Sequence, residues 1–506
     1  MICLTTTAST VEETLLQVKE NKEYIDMVEL RLDMLNENEL EDAFRVPQLV
    51  KLPVLATFRR KIDGGKSTLS NKLRIAKLRK VVLQGEFTYV DLESDLKKSD
   101  FKVKLNNEGE KVDFEDELRQ RGIQIIRSLH DFEKVPVGLY SLVEKLAKKG
   151  DIPKVAVTPN TIVDVLTLFR MEDELKSVEK KIIVGMGDYG VCTRILYKKL
   201  GSMLTYCAPK GPTAAPGQLT PKDMKVLYRA DKVNDNTAIY GIIGNPVFHT
   251  DSPKIHNPGF DGINYNAIYV PFLVDKIRSF FRLAELIRIH GFSVTAPYKR
   301  EVLPYLGKIT REVMQIGACN TVTRIQGMWK GTNTDYYGFL SPVIEKIKTG
   351  SVKKALVIGA GGAASSVVWA LVNYGVKVTV INRTVEKAQQ LASKTMSSFD
   401  SLNHIDKYSG KVDLVVQTTV VGMAPDLTSD PAPDFYFTGK EIVYDLIYSP
   451  DHTAFLQRAL ESGCEVVNGK RMLWEQGLLQ FEAFTGYHYP RELVNSFEEI
   501  LVNNND

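Results

Sequence analysis

Lys154 lies in the run Ile152-Pro153-Lys154-Val155-Ala156-Val157-Thr158, where strand alternation sets its side chain on the face opposite Val155 and Val157. Inside a barrel, desolvation and neighbouring cations favour the neutral amine, a nucleophile able to form a Schiff base with a carbonyl. On spacing alone, an outward or ion-paired lysine fits equally well. His130, in Ser128-Leu129-His130-Asp131-Phe132, follows an expected strand, and its ordinary titration near neutrality suits a proton shuttle. A lone histidine is more often structural. In Val28-Glu29-Leu30-Arg31-Leu32-Asp33 the acids and Arg31 share one face and the aliphatic residues the other. Leu55, Thr57 and Arg59 share a face, as do Asp91 and Glu93. Charge on an inner face near strand C-termini is where a barrel builds its site.

A second chemistry-bearing stretch runs from Lys353 to Thr384, KKALVIGAGGAASSVVWALVNYGVKVTVINRT. It reads as a strand over 355–358, a turn through Gly359, Ala360, Gly361, Gly362 and Ala363, a helix from 364 to about 374, and a strand over 378–381. Glycines let backbone N–H groups at a helix N-terminus approach a pyrophosphate. Where an acid would hold the ribose 2′-hydroxyl of NAD, the chain has Asn382-Arg383-Thr384, and a guanidinium there favours NADP(H). Residues 355–376 are uncharged and long enough to suggest a membrane span, but the glycines and Ser365, Ser366 and Asn373 favour a strand-turn-helix.

The elements that must carry the first cluster are apolar runs at 2–6, 25–32, 54–58, 87–92, 124–128, 154–158, 181–184 and 203–206, with amphipathic stretches such as 11–22, 72–83, 139–149 and 162–174 between them. This alternation fits a (β/α)8 barrel, with a partly doubly wound sheet as the rival. After an expected last barrel helix over 219–228, the polar stretch 231–237 reads as a linker, and a new strand opens at 238–243. The 506 residues allow about three domains. A net charge of +3 gives no footprint for nucleic acid or a membrane surface. Five scattered cysteines without ligand spacing argue for a reducing compartment and against a metal site. Met1 opens directly into an apolar strand, which reads as cytoplasmic, a plastid protein with its transit peptide removed being the alternative.

Glu29-Leu30-Arg31, Thr57-Phe58-Arg59, Asp91-Leu92-Glu93, His130-Asp131-Phe132, Pro153-Lys154, Arg194 and Ala215-Pro216-Gly217-Gln218 together resemble type I 3-dehydroquinate dehydratase over residues 1 to about 230. The resemblance implies that Lys154 forms an imine with 3-dehydroquinate while His130 moves protons. It implies too that Arg194 binds the carboxylate, with Glu29, Arg31, Arg59 and Gln218 on the remaining oxygens. Two positions depart from the family. The acid expected to support the histidine is Asp63, one methylene short of glutamate, and the serine before Ala215 is Ala214, unless Thr213 substitutes for it.

From about 238 to 490 the chain resembles shikimate dehydrogenase. The match rests on Gly244-Asn245-Pro246 through His249-Thr250-Asp251-Ser252-Pro253, Val294-Thr295-Ala296-Pro297-Tyr298-Lys299, Gly317-Ala318-Cys319-Asn320-Thr321 and Asn333-Thr334-Asp335. Tyr444-Asp445 through Tyr448, and Gln476, continue it. The resemblance implies Thr250 and Ser252 on the carboxylate, Asn320, Asp335, Thr295 and Gln476 on hydroxyls, Lys299 with Asp335 for proton transfer, Tyr448 nearby, and Gly469 lining the nicotinamide. Without it, Lys299 and Asp335 read as ordinary surface residues. Thr250 stands where serine is usual, and Asp251 where lysine is usual; Thr250 keeps the hydroxyl but adds a methyl at the carboxylate end, where quinate carries an extra C1 hydroxyl, which puts quinate in doubt as a second substrate.

The implied whole is a barrel over 1–232, a substrate-binding domain over 238–345 completed by about 469–506, and a Rossmann domain over 350–468. Its partners would be the small molecules 3-dehydroquinate, 3-dehydroshikimate and shikimate, with no nucleic acid or membrane. The order of the two halves is that of the bifunctional enzymes of plants and some bacteria. The alternatives are a second half that acts mainly on quinate, or a ligand-sensing relative without catalysis.

Overall fold

The computed structural model describes residues 1–104, 111–147, 151–211, 214–248 and 250–494, so Thr213 and His249 lie outside the described residues. The chain divides into two compact units, residues 1–239 with 266–288, and residues 240–265 with 289–506.

In the first unit one eight-stranded sheet is built from β1 Ile2–Thr5, β2 Met27–Arg31, β3 Val54–Thr57, β4 Tyr89–Glu93, β5 Gln124–Asp131, β6 Ile152–Val157, β7 Ile182–Gly185 and β8 Thr205–Cys207. The neighbours run β8-β1-β2-β3-β4-β5-β6-β7, every pair parallel. Where β7 meets β8, the Met203 N–H donates to the Lys181 carbonyl at 2.9 Å, so the sheet curls into the expected barrel. Cys3, Leu55, Ile126, Ile182 and Leu204 are buried together in its core. Register places Ser128 opposite both Glu93 and Lys154, which gathers the polar residues of three adjacent strands.

The helix Ile162–Glu174 begins where its sequence demands. Thr161 caps the Asp164 N–H through its hydroxyl, and the Asp164 carboxylate accepts from the Thr161 N–H at 3.0 Å. Ile162 also donates its N–H to Asp275 at 2.9 Å, and the helix Ile277–Leu286 packs against Ile162–Glu174, so residues 266–288 belong with the first compact unit.

Three expectations change. Strand β5 continues to Asp131, so His130 lies within it and not after it, because the ladder with β6 extends through Asp131↔Val157. The expected last barrel helix is reduced to a π-type turn, Asp223–Leu227, which closes just before the left-handed backbone of Arg229, at φ +50°. A short antiparallel pair, Lys102–Lys104 with Lys111–Asp113, had no signal in the apolar pattern.

In the second unit a mixed sheet orders Ala238–Gly244, Ile289–Val294, Thr321–Ile325, Met328–Thr332 and Lys308–Ile309. A second, parallel sheet orders Ser398–Ser401, Lys377–Asn382, Lys354–Ile358, Leu414–Gln417, Ile442–Asp445 and Glu465–Val467. In chain order that is 3-2-1-4-5-6, the doubly wound Rossmann arrangement. The helix after the glycine turn is Gly362–Asn373, starting two residues before the expected 364. Residues 355–376 thus divide between a strand and a helix, and among the described residues no helix is long and apolar enough to cross a membrane.

All five cysteines are unpaired and buried. Burial pushes the Cys192, Cys207 and Cys319 thiols up to about 12.

Packing of the helix Gly187–Ile195 on β7 depends on a missing side chain. A Cβ on Gly190 would lie 2.3 Å from the Gly185 carbonyl carbon, where the backbone itself would have to shift. Gly190→Ala is therefore expected to cost about 1–3 kcal/mol in urea unfolding of the full chain; an unchanged transition would contradict this packing.

Candidate active sites

The cavity of the first unit is lined by every sequence-expected residue of the first site: Glu29, Arg31, Arg59, His130, Lys154, Arg194 and Gln218, together with Asp63 and Ala214. Lys154 is 4% exposed and donates to Asp91 at 3.0 Å, with Glu29 at 3.8 Å and the Tyr206 ring centroid 4.3 Å away. Sequence reasoning expected burial and cations around this amine; the structure adds two carboxylates that pair with and orient it. Arg59 grips Asp91 through Nη1 at 2.9 Å and Nη2 at 2.7 Å, and donates to Ser128 Oγ at 3.0 Å. Burial pushes the Asp91 carboxyl up, but the Arg59 and Lys154 charges outweigh it and hold the group well below the ordinary carboxylate range.

The other inward groups are fixed in pairs. Glu29 accepts from Thr5 at 2.8 Å and from Thr57 at 2.9 Å. Arg31 holds Asp33 in a fork at 2.8 and 2.7 Å. Arg74, fully buried, pairs with Glu93 at 2.7 Å. Gln218 accepts from the Ala215 N–H at 2.9 Å.

Two groups stand apart. His130 Nδ1 is buried with no hydrogen-bond partner. Burial, then the charges of Arg59 and Lys154, with a smaller contribution from Arg31, hold its imidazole well below 6.5, although Asp91 opposes them. The imidazole is thus neutral and free to accept a proton. Arg194 donates to the Pro216 carbonyl at 3.1 Å, leaves Nε unsatisfied, and meets no carboxylate among the described residues. Burial pushes its guanidinium down to about 10. A buried cation without an anion is a place for an anionic ligand.

Asp63 does not reach His130. It binds Arg60 Nε at 2.5 Å, and Arg60 also forks to Asp95 at 3.2 and 2.9 Å, so a nearby guanidinium takes the shorter side chain. The residues missed are Asp91, which was seen on the inner face but given no role, and Thr5, Ser128 and Tyr206, whose partners lie on other strands.

The cavity of the second unit brings together Thr250, Ser252, Thr295, Lys299, Asn320 and Asp335. Tyr448, Gly469, Gln476 and Ala363 line it too. Lys299 donates to Asp335 at 2.5 Å, and the other Asp335 oxygen accepts from Asn320 at 2.8 Å. Asn320 also donates to Thr334 Oγ1 at 2.9 Å and to Gln476 at 3.3 Å, and Thr334 returns its N–H to Asn320 at 2.8 Å. One amide thereby holds the acid, a hydroxyl and a second amide in a fixed array. Thr250 donates to Ser252 Oγ at 3.0 Å, and burial pushes the Tyr448 phenol up. Asp251, at the departing position, pairs with Lys254 at 2.6 Å. Gly469 admits no side chain, since a Cβ would stand 2.1 Å from the Leu446 carbonyl oxygen.

The dinucleotide turn fits phosphate. Gly359 is left-handed at φ +112°, and a Cβ there would meet Thr418 Oγ1 at 2.4 Å. The helix Gly362–Asn373 has neither a side-chain cap nor an acid in its first turn, which leaves its first N–H groups for an anion. Asn382 donates to the Thr384 carbonyl at 2.8 Å and shapes the next turn, where Arg383 is exposed and makes no hydrogen bond or ion pair with the described residues.

Residues 2–235 match the type I 3-dehydroquinase family, residues 242–322 the shikimate dehydrogenase substrate binding domain, and residues 343–424 the shikimate/quinate 5-dehydrogenase family. The chain is 32% identical over 515 residues to the bifunctional 3-dehydroquinate dehydratase/shikimate dehydrogenase, chloroplastic, of Arabidopsis thaliana, covering 97% of this chain and 83% of that one. It is 37% identical over 272 residues to a shikimate dehydrogenase (NADP(+)) of Caldanaerobacter subterraneus, covering 52% of this chain and 97% of the relative. The crystal structure of shikimate 5-dehydrogenase from Thermus thermophilus, in complex with NADP(H) and shikimate, is 33% identical, covers 50% of this chain and 95% of that one, and superposes with a TM-score of 0.45. The chain belongs to the family of bifunctional 3-dehydroquinate dehydratase/shikimate dehydrogenases, which join a lyase and an NADP-dependent oxidoreductase of the shikimate pathway.

The depressed value of His130 fixes a sign. As pH falls through 6.5 the folded imidazole stays neutral, so the base is retained into acid beyond the ordinary histidine range. The acid limb of kcat/KM for the dehydration is expected below pH 6.5, and a limb at or above that value would contradict the environment described.

Proposed function

We propose that the chain dehydrates 3-dehydroquinate to 3-dehydroshikimate in its first half and reduces that product to shikimate with NADP(H) in its second. The observation that carries the first step is the meeting in one cavity of the oriented Lys154 amine, the neutral His130 and the unpaired Arg194 cation.

Arg194 takes the substrate carboxylate, while Glu29, Arg31, Arg59 and Gln218 hold the hydroxyls and the carbonyl side. The Lys154 amine adds to the C3 ketone and water leaves, forming an iminium that draws electrons from C2. His130 removes the C2 proton and returns one to the C1 hydroxyl, which departs as water, and hydrolysis frees Lys154. Asp91 keeps the amine in place through each stage. Asp63 stays with Arg60 and acts on the loop rather than on the imidazole.

In the second step Thr250 and Ser252 hold the carboxylate, with Tyr448 beside them, and Thr295, Asn320 and Gln476 fix the hydroxyls. NADPH, once bound there, would supply the hydride that reduces the C3 carbonyl. Lys299, aligned by Asp335, protonates the developing oxygen. Gly359, Ala360, Gly361, Gly362 and Ala363 cradle the pyrophosphate, Asn382, Arg383 and Thr384 take the adenosine phosphate end, and Gly469 leaves room for the nicotinamide. The intact Lys299–Asp335 and Lys154–Asp91 pairs favour catalysis over a binding-only relative.

This reading divides the chain into a dehydratase barrel over 1–232, a substrate-binding domain over 238–345 completed from about 469 onward, and an NADP-binding domain over 350–468. Five buried, unpaired thiols suit a compartment that keeps them reduced, such as the cytoplasm.

Purified chain supplied with 3-dehydroquinate and NADPH should show the absorbance of the conjugated enone and then loss of NADPH. Lys154→Ala should lose the first signal and, with it, the second; given 3-dehydroshikimate instead, the same variant should oxidise NADPH normally. Lys299→Ala should keep the first and slow the second by about 10²–10⁴-fold. Turnover of quinate with NAD alone would overturn the substrate and cofactor assignments of the second half.

For the first step, His130→Ala should reduce kcat by about 10²–10⁴-fold. Asp63→Asn, whose partner is Arg60, should reduce it far less; equal losses would put Asp63 back on the histidine.

A further inference from the structure

Arg300 follows Lys299 directly and is exposed, yet its side chain reaches the dinucleotide turn. Its Nη2 donates to Ser365 Oγ at 2.7 Å and to the Ala360 carbonyl at 3.4 Å. Ser365 in turn donates to the Gly361 carbonyl at 3.1 Å, so the guanidinium rests on the turn and on the first turns of the helix Gly362–Asn373. Among the described residues no carboxylate pairs with it and no acceptor takes the hydrogens of Nε or Nη1.

The two sides of the turn differ. A Cβ on Gly362 would sit 3.0 Å from Lys299 Cβ, so that side is filled by the catalytic lysine. A Cβ on Gly361 would meet nothing within 4 Å, so that side is open. An uncompensated guanidinium with free donors, fixed to the edge of uncapped helix N–H groups, matches an anion with several oxygens. Arg383 lies after the next strand, on a different turn.

We propose that Arg300 is a cofactor-binding residue that contacts the pyrophosphate of NADP(H), leaving Arg383 to the 2′-phosphate. This rests on the NADP(H) reading given above. The same arginine ties cofactor binding to the segment that carries Lys299, because one side chain spans both.

The test uses the full chain and equilibrium binding. NADP+ and 2′-AMP, which has the adenine and the 2′-phosphate but no pyrophosphate, are titrated calorimetrically into wild type, Arg300→Gln, Arg300→Lys and Arg383→Gln. Arg300→Gln should weaken NADP+ by about tenfold or more and leave 2′-AMP unchanged. Arg383→Gln should weaken both. Arg300→Lys, which keeps the charge, should bind NADP+ more tightly than Arg300→Gln. Retained 2′-AMP binding shows that the second unit of each Arg300 variant has folded, and a urea unfolding curve like that of wild type shows it for Arg383→Gln. Arg300→Gln that binds NADP+ like wild type, or that loses 2′-AMP by the same factor as NADP+, overturns the inference. A wild-type chain that prefers NAD+ overturns the cofactor reading beneath it, a failure visible before any variant is compared.

Discussion

A cation on the inner face of a closed parallel sheet has little water to solvate it, so each must be met by an anion, a π-face or a ligand. In the first unit this constraint runs as an alternating series: Lys154 to Asp91, Asp91 to Arg59, Arg59 to Glu93 at 3.7 Å, and Glu93 to Arg74. Asp91, Arg59 and Glu93 are each held by two neighbours, so none of them can turn away without leaving another unpaired. The rigidity of Lys154 comes from this series and not from apolar packing alone. Arg194 is the exception among the described residues, and the proposed function gives that exception to the substrate carboxylate. The second unit applies the same rule on a smaller scale, with Lys299 and Asn320 on the two oxygens of Asp335.

The sequence made legible whatever depends on a period or on a local steric rule. Alternation in β2, β4 and β6 showed which charges face inward, and the amphipathic pattern over 162–174 gave the bounds of the helix that the structure places at Ile162–Glu174. The dinucleotide turn was legible because Gly359 has a backbone that side chains rarely adopt. Pairings were not legible in the same way. Parity puts Asp91 and Glu93 on the inner face and the resemblance puts Asp63 at the histidine, but the choice among Arg59, Arg60, Arg74, His130 and Lys154 depends on the reach of each side chain across strands. Asp63 went to Arg60, and Asp91 to both Lys154 and Arg59, for that reason. Boundaries also moved where a ladder or a turn overrode local pattern, as at His130 in β5 and at the π-type turn before Arg229.

Lys299 and the cofactor turn show a form of economy in the second unit. The lysine stem lies 3.0 Å from where a Gly362 Cβ would stand, while its amine meets Asp335. In the proposed reaction one residue would thus form both the wall of the cofactor cradle and the proton donor, their separation fixed by the length of a single side chain.

The buried thiols carry a different consequence. Cys3, Cys192 and Cys207 belong to the first unit, and Cys319 and Cys464 to the second. Reagents that attack thiolates find none presented by the folded chain, and they can react only as a unit opens. The chain therefore carries an internal record of its own opening, written separately for each half, in which the order of cysteine modification tells which catalytic unit gives way first.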